Sequence, residues 1–192
     1  MEWTIPGTVI TAQREEAAHV EQKFRAMFLA GGMVLSQVSS LTGLEYYTVQ
    51  NWVKRGFLTG PVNKRYTLRQ LCRILNINML KSALPMEQIC GLLSYVNGEL
   101  DDEADDLIDD SELYFLFVRL ASDYDCMHNA QGRDRYLQEL LCDYREPKPG
   151  AKQRVVQVLQ IMLTAWAAAQ LRQQTECMVK SLQSTAKVYK EA

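Results

Sequence analysis

The sequence predicts a mainly α-helical protein that ends in one long helix. Apolar residues recur at three- and four-residue steps through most of the 192-residue chain, which is the period of helices with one buried face. After Pro149 and Gly150, neither proline nor glycine occurs up to Ala192, and good helix formers dominate. A middle stretch rich in glycine and turn residues departs from this pattern and predicts two short helices followed by a small hairpin.

Composition narrows the class of protein. The five cysteines are odd in number and scattered through apolar helical patterns, which is typical of reduced, buried thiols in a cytoplasmic protein. The chain has no basic and apolar leader at its start, and no run of about eighteen apolar residues, so we expect no membrane insertion. The sequence has only two histidines, far apart, and it contains neither a phosphate-binding loop nor a nucleophile elbow. It therefore shows no obvious catalytic residues. We therefore expect no enzyme, no cofactor and no resident metal.

Charge is divided unevenly along the chain. Residues 34–85 carry seven basic residues and one acid, a net +6, whereas residues 86–125 carry twelve acids and one base, a net −11. The sequence therefore predicts a basic unit beside an acidic one. We interpret the acidic run Glu99–Asp110 as a solvated linker, with docking on the basic unit to inhibit it as the alternative. A calcium loop is disfavoured because no glycine occurs where such a loop must bend.

The first predicted element is an amphipathic helix in a segment spanning residues 1–32. From Thr11 the apolar residues follow helical spacing until Gly31 and Gly32 end the pattern. They are Ala17, Val20, Phe24, Met27 and Phe28.

Two short helices are predicted next, over Leu35–Leu41 and Tyr46–Val53. Gly43 allows the tight turn between them because glycine adopts positive φ without steric cost. The punctuated stretch from Gly56 to Tyr66 is too short and too polar for a core strand, so it predicts a hairpin wing. Together these segments indicate a winged helix-turn-helix.

Helices occupy the rest of the predicted chain. Thr67 is suited to cap the third helix, Pro85 to open a fourth that ends at Asn97 and Gly98, and Ser111 to cap a fifth. A further helix is expected over Arg133–Tyr144.

The long final helix would span roughly 60 Å at about 1.5 Å per residue, longer than a small domain is wide. Its apolar stripe therefore needs a partner, and a second copy of the chain is the natural one. The stripe begins with Val155, Leu159, Met162 and Trp166 and continues with Met178, Leu182, Ala186 and Tyr189.

Two stretches resemble known families. LSQVSSLTGLEYYTVQNWVKRGFL, from Leu35, is similar without gaps to the N-terminal pattern of MerR regulators. KRYTLRQLCRILNINMLKSALPMEQICGLL, from Lys64, resembles the signature of a bacterial family known as domain of unknown function number 1836, whose members are usually taken as MerR-like. The resemblance implies a DNA-binding domain over residues 33–98. It says little about residues 99–192, which the helical pattern and the long final helix predict to be a dimerisation or effector region.

The second short helix carries the predicted recognition surface. Tyr47, Gln50, Asn51 and Lys54 share one face by their three- and four-residue spacing. Gln and Asn suit adenine edges, while basic side chains suit phosphates. Ten residues are predicted to contact double-stranded DNA, namely Tyr46, Tyr47, Gln50, Asn51, Lys54, Arg55, Asn63, Lys64, Arg65 and Tyr66. The alternative is a merely solvated polar helix.

Other interpretations remain open at this point. Arg69 and Arg73, one helical turn apart, are as suited to pairing with the acidic region as to contacting DNA. Cys126, His128 and Cys142 could hold a metal, although their spacing is unspecific. The leading hypothesis is a homodimeric transcriptional regulator. Its rivals are a protein-binding module that uses the winged scaffold, for instance a phage-type accessory factor, and a ligand sensor with a pocket near Trp166.

Overall fold

A computed structural model describes residues 2–123 and 129–191, with side chains described up to residue 182. The described residues are mainly helical, as predicted. The strands are β1 (Glu2–Thr4), β2 (Thr11–Gln13), β3 (Met33–Val34) and β4 (Arg65–Tyr66). The helices are α1 (Ala17–Met27), α2 (Leu35–Thr42), α3 (Tyr46–Lys54), α4 (Leu68–Leu80), α5 (Met86–Asn97), α6 (Asp110–Ser122), α7 (Ala130–Leu140) and α8 (Ala151–Glu191).

The N-terminal segment contains a hairpin that the periodicity did not reveal. β1 pairs antiparallel with β2, with Trp3 opposite Ala12. Helix α1 therefore begins at Ala17 rather than near Thr11, because residues 11–13 are extended. Its predicted stripe is confirmed for Ala17, Val20 and Phe24, which are buried, whereas Met27 is exposed.

Helices α2 and α3 lie within two residues of their predicted bounds. Gly43 between them adopts φ of 70°, and its N–H donates to the Ser39 carbonyl at 2.8 Å, which ends α2. The Ser39 hydroxyl donates to the Leu44 carbonyl at 2.6 Å. Buried Leu44 anchors the connection in the core, so the angle between the two helices is fixed by packing.

The stretch after α3 ends in a two-residue hairpin turn. Val62 and Arg65 exchange backbone hydrogen bonds of 3.0 and 2.9 Å, while Asn63 and Lys64 both have positive φ, 50° and 62°. These are the features of a type I′ turn, whose twist suits paired strands. β4 then pairs with β3, immediately before α2, so the hairpin is tied to the first residues of the two-helix unit.

Helix α4 is the centre of the molecule. Thr67 caps it as predicted, in a reciprocal capping box with Gln70. The apolar face predicted from periodicity is buried, but so are Cys72, Arg73 and Asn76 on other faces. The reason is that α2, α5, α6 and α8 all pack around this helix. One continuous core extends from Trp3 to Trp166.

Helices α6 and α7 begin earlier than predicted, and a side-chain cap explains each start. Asp109, rather than Ser111, caps α6, since its carboxylate accepts from the Ser111 N–H at 2.7 Å. Asn129 caps α7 by accepting from the Gln131 N–H at 3.1 Å, so that helix starts at Ala130 rather than Arg133.

The long helix α8 is confirmed, but its first half packs within its own chain. Val155, Leu159 and Met162 are fully buried. Trp166 meets Trp3 and Phe117 edge to face, with ring centroids 6.3 and 6.2 Å apart.

Further along α8, Met178 and Leu182 are exposed. They do not continue the buried stripe, because twelve residues separate Met178 from Trp166 and place it about 120° around the helix. Ala186 and Tyr189 lie outside the described side chains. Within the described residues, no helix combines the length and the apolar character that crossing a membrane requires.

Candidate nucleic-acid interface

The outward face of α3 presents polar and aromatic side chains to solvent. Val49 and Trp52 are buried and fix the rotation of the helix. In consequence Tyr47, which is 64% exposed, lies on the solvent side together with Gln50, Asn51 and Lys54. Tyr46 at the first turn is also exposed. This arrangement presents hydrogen-bonding groups and a positive charge on one side of a short helix.

The hairpin tip forms the second part of the surface. Asn63, Lys64 and Arg65 are exposed, with Val62 beside them. The loop before the tip is held by Gln70, whose side-chain amide donates to the Thr59 hydroxyl at 2.9 Å and the Gly60 carbonyl at 2.7 Å. The tip is therefore attached to the start of α4 as well as to β3.

Arg65 has a structural contact in addition to its exposure. One of its guanidinium nitrogens donates to the Gly32 carbonyl at 2.6 Å. A side chain at position 32 would place its Cβ 2.5 Å from the Tyr66 carbonyl oxygen, so only glycine fits. Arg65 thus helps to hold the hairpin against the residues that precede β3.

Tyr66 does not share this surface, contrary to its inclusion among the ten predicted residues. Its side chain is only 2% exposed and belongs to the core, and burial raises the pKa of its hydroxyl. The reason is the alternation of a strand, in which Arg65 points outward and Tyr66 inward. The remaining nine predicted residues are exposed.

The basic side chains of α3 and the hairpin tip are not neutralised by carboxylates. Among the described residues, Lys54, Arg55, Lys64 and Arg65 form no ion pair within 4.0 Å. The Arg55 guanidinium lies over the Phe57 ring at 4.6 Å from its centroid, which orients the side chain and leaves its charge available.

Two other arginines of the basic unit are paired with the acidic segment. Arg69 contacts Asp106 at 2.7 Å and Glu103 at 3.1 Å, and Arg73 contacts Asp110 at 3.4 Å. Burial raises the pKa of the Asp110 carboxyl, and that of Asp106 from 3.8 to about 6, against the attraction of the arginines.

The end of the acidic segment is therefore a docked part of the fold rather than a free linker. The excess of acidic residues after α5 indicates that this segment pairs with basic side chains. The sequence does not indicate which arginines the acidic residues contact. Arg69 and Arg73 are therefore occupied by the acidic segment. Of the other five basic residues of the basic unit, four lie on α3, directly after it and at the hairpin tip, and the fifth is Lys81, directly after α4.

The structure offers less support for the two alternative sites, the metal site and the ligand pocket near Trp166. Cys126 and His128 lie outside the described residues, and no group of three or more metal-ligating side chains occurs within the described part of the chain. Cys72 is buried, but Cys142 and Cys177 are exposed, contrary to the expectation of buried thiols. Trp166 lines a cleft of about 970 Å³ between β1 and α8.

These features define a mainly helical protein with a compact, unneutralised basic surface on one short helix and one tight hairpin. Residues 30–117 match the model of a family described as a domain of unknown function, DUF1836. This match supports the resemblance to that family over the segment from β3 to α6, which contains both the candidate surface and the docked acids. Neither a curated protein nor a solved structure matches the chain.

Proposed function

We propose that this protein is a DNA-binding transcriptional regulator with a MerR-like winged helix-turn-helix. Helix α3 enters the major groove, and the hairpin acts as the wing on the adjacent backbone. The observation that supports this most directly is that α3 and the hairpin tip keep four basic side chains free of carboxylates among the described residues, whereas neighbouring Arg69 and Arg73 are paired. A homodimer would present two such surfaces to a pseudo-palindromic site.

Each part of the surface has a distinct role in this proposal. Gln50 and Asn51 read base edges, since their amides match the donor and acceptor pair of adenine. Lys54, Arg55 and Lys64 contact phosphates, which supply affinity without sequence information. Lys64 is exposed at the tip of the two-residue turn, and from this position it reaches the DNA backbone or the minor groove.

The first prediction concerns the salt dependence of DNA binding. The double variant Lys54→Gln/Lys64→Gln loses two phosphate contacts, so the slope of log affinity against log salt should flatten by about two. Fluorescence anisotropy on pooled genomic fragments at several salt concentrations measures this slope. Arg65 is left unchanged because its contact with Gly32 is structural.

Arg145→Gln/Lys148→Gln is the matched control, because it removes the same charge from exposed positions far along the chain from α3 and the hairpin. Its slope should equal that of the unaltered protein. Equal slopes for both double variants would contradict the proposed surface. Asn51→Ala should reduce discrimination between bound and unbound fragments while leaving the salt slope unchanged.

A protein-binding module is the second candidate function. It is favoured by exposed Tyr46, Tyr47 and Val62 beside the basic residues, since aromatic side chains are enriched where proteins bind each other. The titration separates the two functions, because a protein-binding module would show weak DNA binding and no difference among fragments.

A further inference from the structure

The turn of the N-terminal hairpin, residues 5–10, lies against the end of α2. The Val9 N–H donates to the Leu41 carbonyl at 3.0 Å. The Val9 side chain also covers Gly43, since a Cβ added at position 43 would lie 2.8 Å from Val9 Cγ1. Leu41 belongs to the last turn of α2, and Gly43 is the C-cap of that helix. The hairpin therefore contacts α2 where the chain turns toward α3.

Asn78 of α4 joins the same two elements. Its side-chain amide donates to the Gly7 carbonyl at 2.8 Å and to the Thr42 carbonyl at 3.0 Å. The last four carbonyls of a helix have no N–H partner within that helix, and here the hairpin and α4 supply donors for two of them, those of Leu41 and Thr42. The end of α2 is therefore held by groups from outside the two-helix unit.

The turn of the hairpin has a fixed shape. The Thr8 hydroxyl donates to the Ile5 carbonyl and accepts from the Ile10 N–H, both at 3.0 Å. Gly7 has φ of 75°, and a Cβ at this position would lie 2.5 Å from the Leu75 carbonyl oxygen. The turn therefore rests directly on the backbone of α4, where only glycine fits.

The opposite side of the hairpin is fixed to α6. The fully buried Tyr114 hydroxyl donates to the Pro6 carbonyl at 2.8 Å. The guanidinium of Arg14, directly after β2, donates to the Ala121 and Ser122 carbonyls at 3.2 and 3.1 Å. A hairpin that is bonded on both sides cannot shift without breaking hydrogen bonds, so it limits how far the end of α2 can move.

The two-helix unit has little buried surface of its own. Three side chains of α2 and two of α3 are buried. Helices this short are only marginally stable by themselves, so contacts from outside the unit determine their orientation. The family match begins at residue 30, whereas the hairpin ends at Gln13, so part of this external support lies outside the matched segment.

We propose that the N-terminal hairpin is a brace that fixes the end of α2 and thereby sets the position of the outward face of α3 on DNA. Val9 and Asn78 are positioning residues in this arrangement, because they act through α2. Residues 43–45 connect α2 directly to α3, and buried Leu44 anchors them, so a displacement of the end of α2 is passed on to α3. The inference rests on the proposed function, but the brace itself lies outside α3 and the wing.

Base contacts are more sensitive than phosphate contacts to a displacement of α3. Hydrogen bonds to base edges weaken steeply with distance and angle, whereas phosphate contacts depend mainly on charge. Loss of the brace should therefore reduce discrimination between DNA sequences and leave the salt dependence of binding unchanged.

Hydrogen–deuterium exchange of the full chain tests the brace without DNA. Gly7→Ala forces the turn away from α4, and Asn78→Leu removes both side-chain hydrogen bonds with little change in size. Amides of residues 41–45 should exchange roughly tenfold faster in each variant, which is the effect of losing about one hydrogen bond, while the amides of α5 keep their rates. Asn129→Ala is the matched control, because it removes the cap of α7 and should leave residues 41–45 unchanged.

Two results of this exchange experiment would overturn the brace. One is an unchanged rate at residues 41–45 in both variants. The other is an equal acceleration throughout the chain, which would show a general loss of stability instead of a local release of α2.

Anisotropy titrations test the consequence for DNA. The fragments that the unaltered protein binds best should bind Gly7→Ala and Asn78→Leu about tenfold more weakly, with an unchanged slope of log affinity against log salt. Asn129→Ala should bind like the unaltered protein. Faster exchange with unaltered discrimination would overturn the positioning role of the hairpin. If the unaltered protein prefers no fragment, the proposed function fails, and the exchange rates still show whether the hairpin braces α2.

Discussion

At the scale of single residues, the tip of the hairpin combines backbone strain with charge. Asn63 and Lys64 both occupy the left-handed region, where asparagine is tolerated but lysine is disfavoured. The two backbone hydrogen bonds between Val62 and Arg65 hold Lys64 in this turn despite the strain. A residue selected for stability alone would be glycine, so a lysine here is consistent with a role for its charge.

This leads to a prediction for Lys64→Gly. Glycine at a position with φ of 62° should raise the free energy of unfolding by about 1 kcal/mol, because it removes the strain of a non-glycine residue in this region. Urea denaturation measures the change. Gln50→Gly, in the exposed middle of α3, should instead lower it by about 1 kcal/mol. A loss of stability in Lys64→Gly would contradict the turn geometry.

Residue-level prediction from the sequence succeeded where helical spacing determined the orientation of a side chain. Val49 and Trp52 fixed the face of α3, and the exposed set followed from it. Tyr66 was misassigned because the two-residue strand β4 is too short for its alternation to be visible in the sequence. The pairing of Arg69 with Asp106 joins residues 37 positions apart in the chain, and no local pattern specifies such a contact.

At the scale of elements, the acidic segment and α4 form a buried electrostatic cluster. Asp106 and Asp110 lie against Arg69 and Arg73, and the side chains of Arg73 and Asp110 are almost completely buried. Removing one partner from such a pair leaves an uncompensated charge in the core. The segment therefore stabilises α4, and Gln70 of α4 in turn holds the loop before the hairpin tip.

The cluster predicts a pH dependence. The pKa of Asp106 is about 6 in the folded protein against 3.8 for the free side chain, so the folded state holds its proton more tightly. The contribution of Asp106 to stability is therefore fully present below about pH 4 and is lost as the pH rises through about 6. Asp106→Asn, which mimics the protonated form, should gain stability relative to the unaltered protein between pH 4.5 and 7.

Urea midpoints at the two pH values measure this difference. Asp102→Asn is a suitable control because Asp102 is an exposed acid of the same segment, and it should show no such trend. If Asp106→Asn instead becomes relatively less stable at pH 7, the attraction of Arg69 outweighs the burial of the carboxyl.

The first residue of a helix was predictable where a capping or helix-breaking residue lies directly before it in the sequence. The starts of α4, α5 and α8 were predicted correctly from the residues that directly precede them, Thr67, Pro85 and Gly150. The N-terminal hairpin was missed because each of its strands has only three residues. The stripe of α8 was misjudged because its two halves lie on different faces, and only the packing of Trp166 shows which face the core takes.

At the scale of the whole molecule, one core joins the segments that the sequence analysis treated as separate. Leu71, Ile74 and Leu75 of α4 are fully buried, in a helix that packs against α6 and α8, both beyond residue 98. The basic unit therefore shares its interior with the C-terminal region. Composition and charge indicated two regions, but they do not reveal how much apolar surface the regions bury against each other.

A fragment containing residues 1–98 should therefore fail to fold. It would expose the α4 face that α6 covers and leave Arg73 without Asp110. We expect the fragment to lack the cooperative thermal transition that the full chain shows by circular dichroism. A cooperative transition in the fragment would instead demonstrate an independently stable domain, and it would then allow the effect of the acidic segment on DNA affinity to be measured directly.

The edge-to-face packing of Trp166 against Trp3 and Phe117 fixes α8 inside the protein at this residue. The sixteen residues from Ala167 to Leu182 extend roughly 24 Å beyond it, so a tilt of about 5° at the tryptophan moves the far end by about 2 Å. A slight rearrangement of three aromatic rings is thereby amplified into a displacement larger than a carbon–carbon bond.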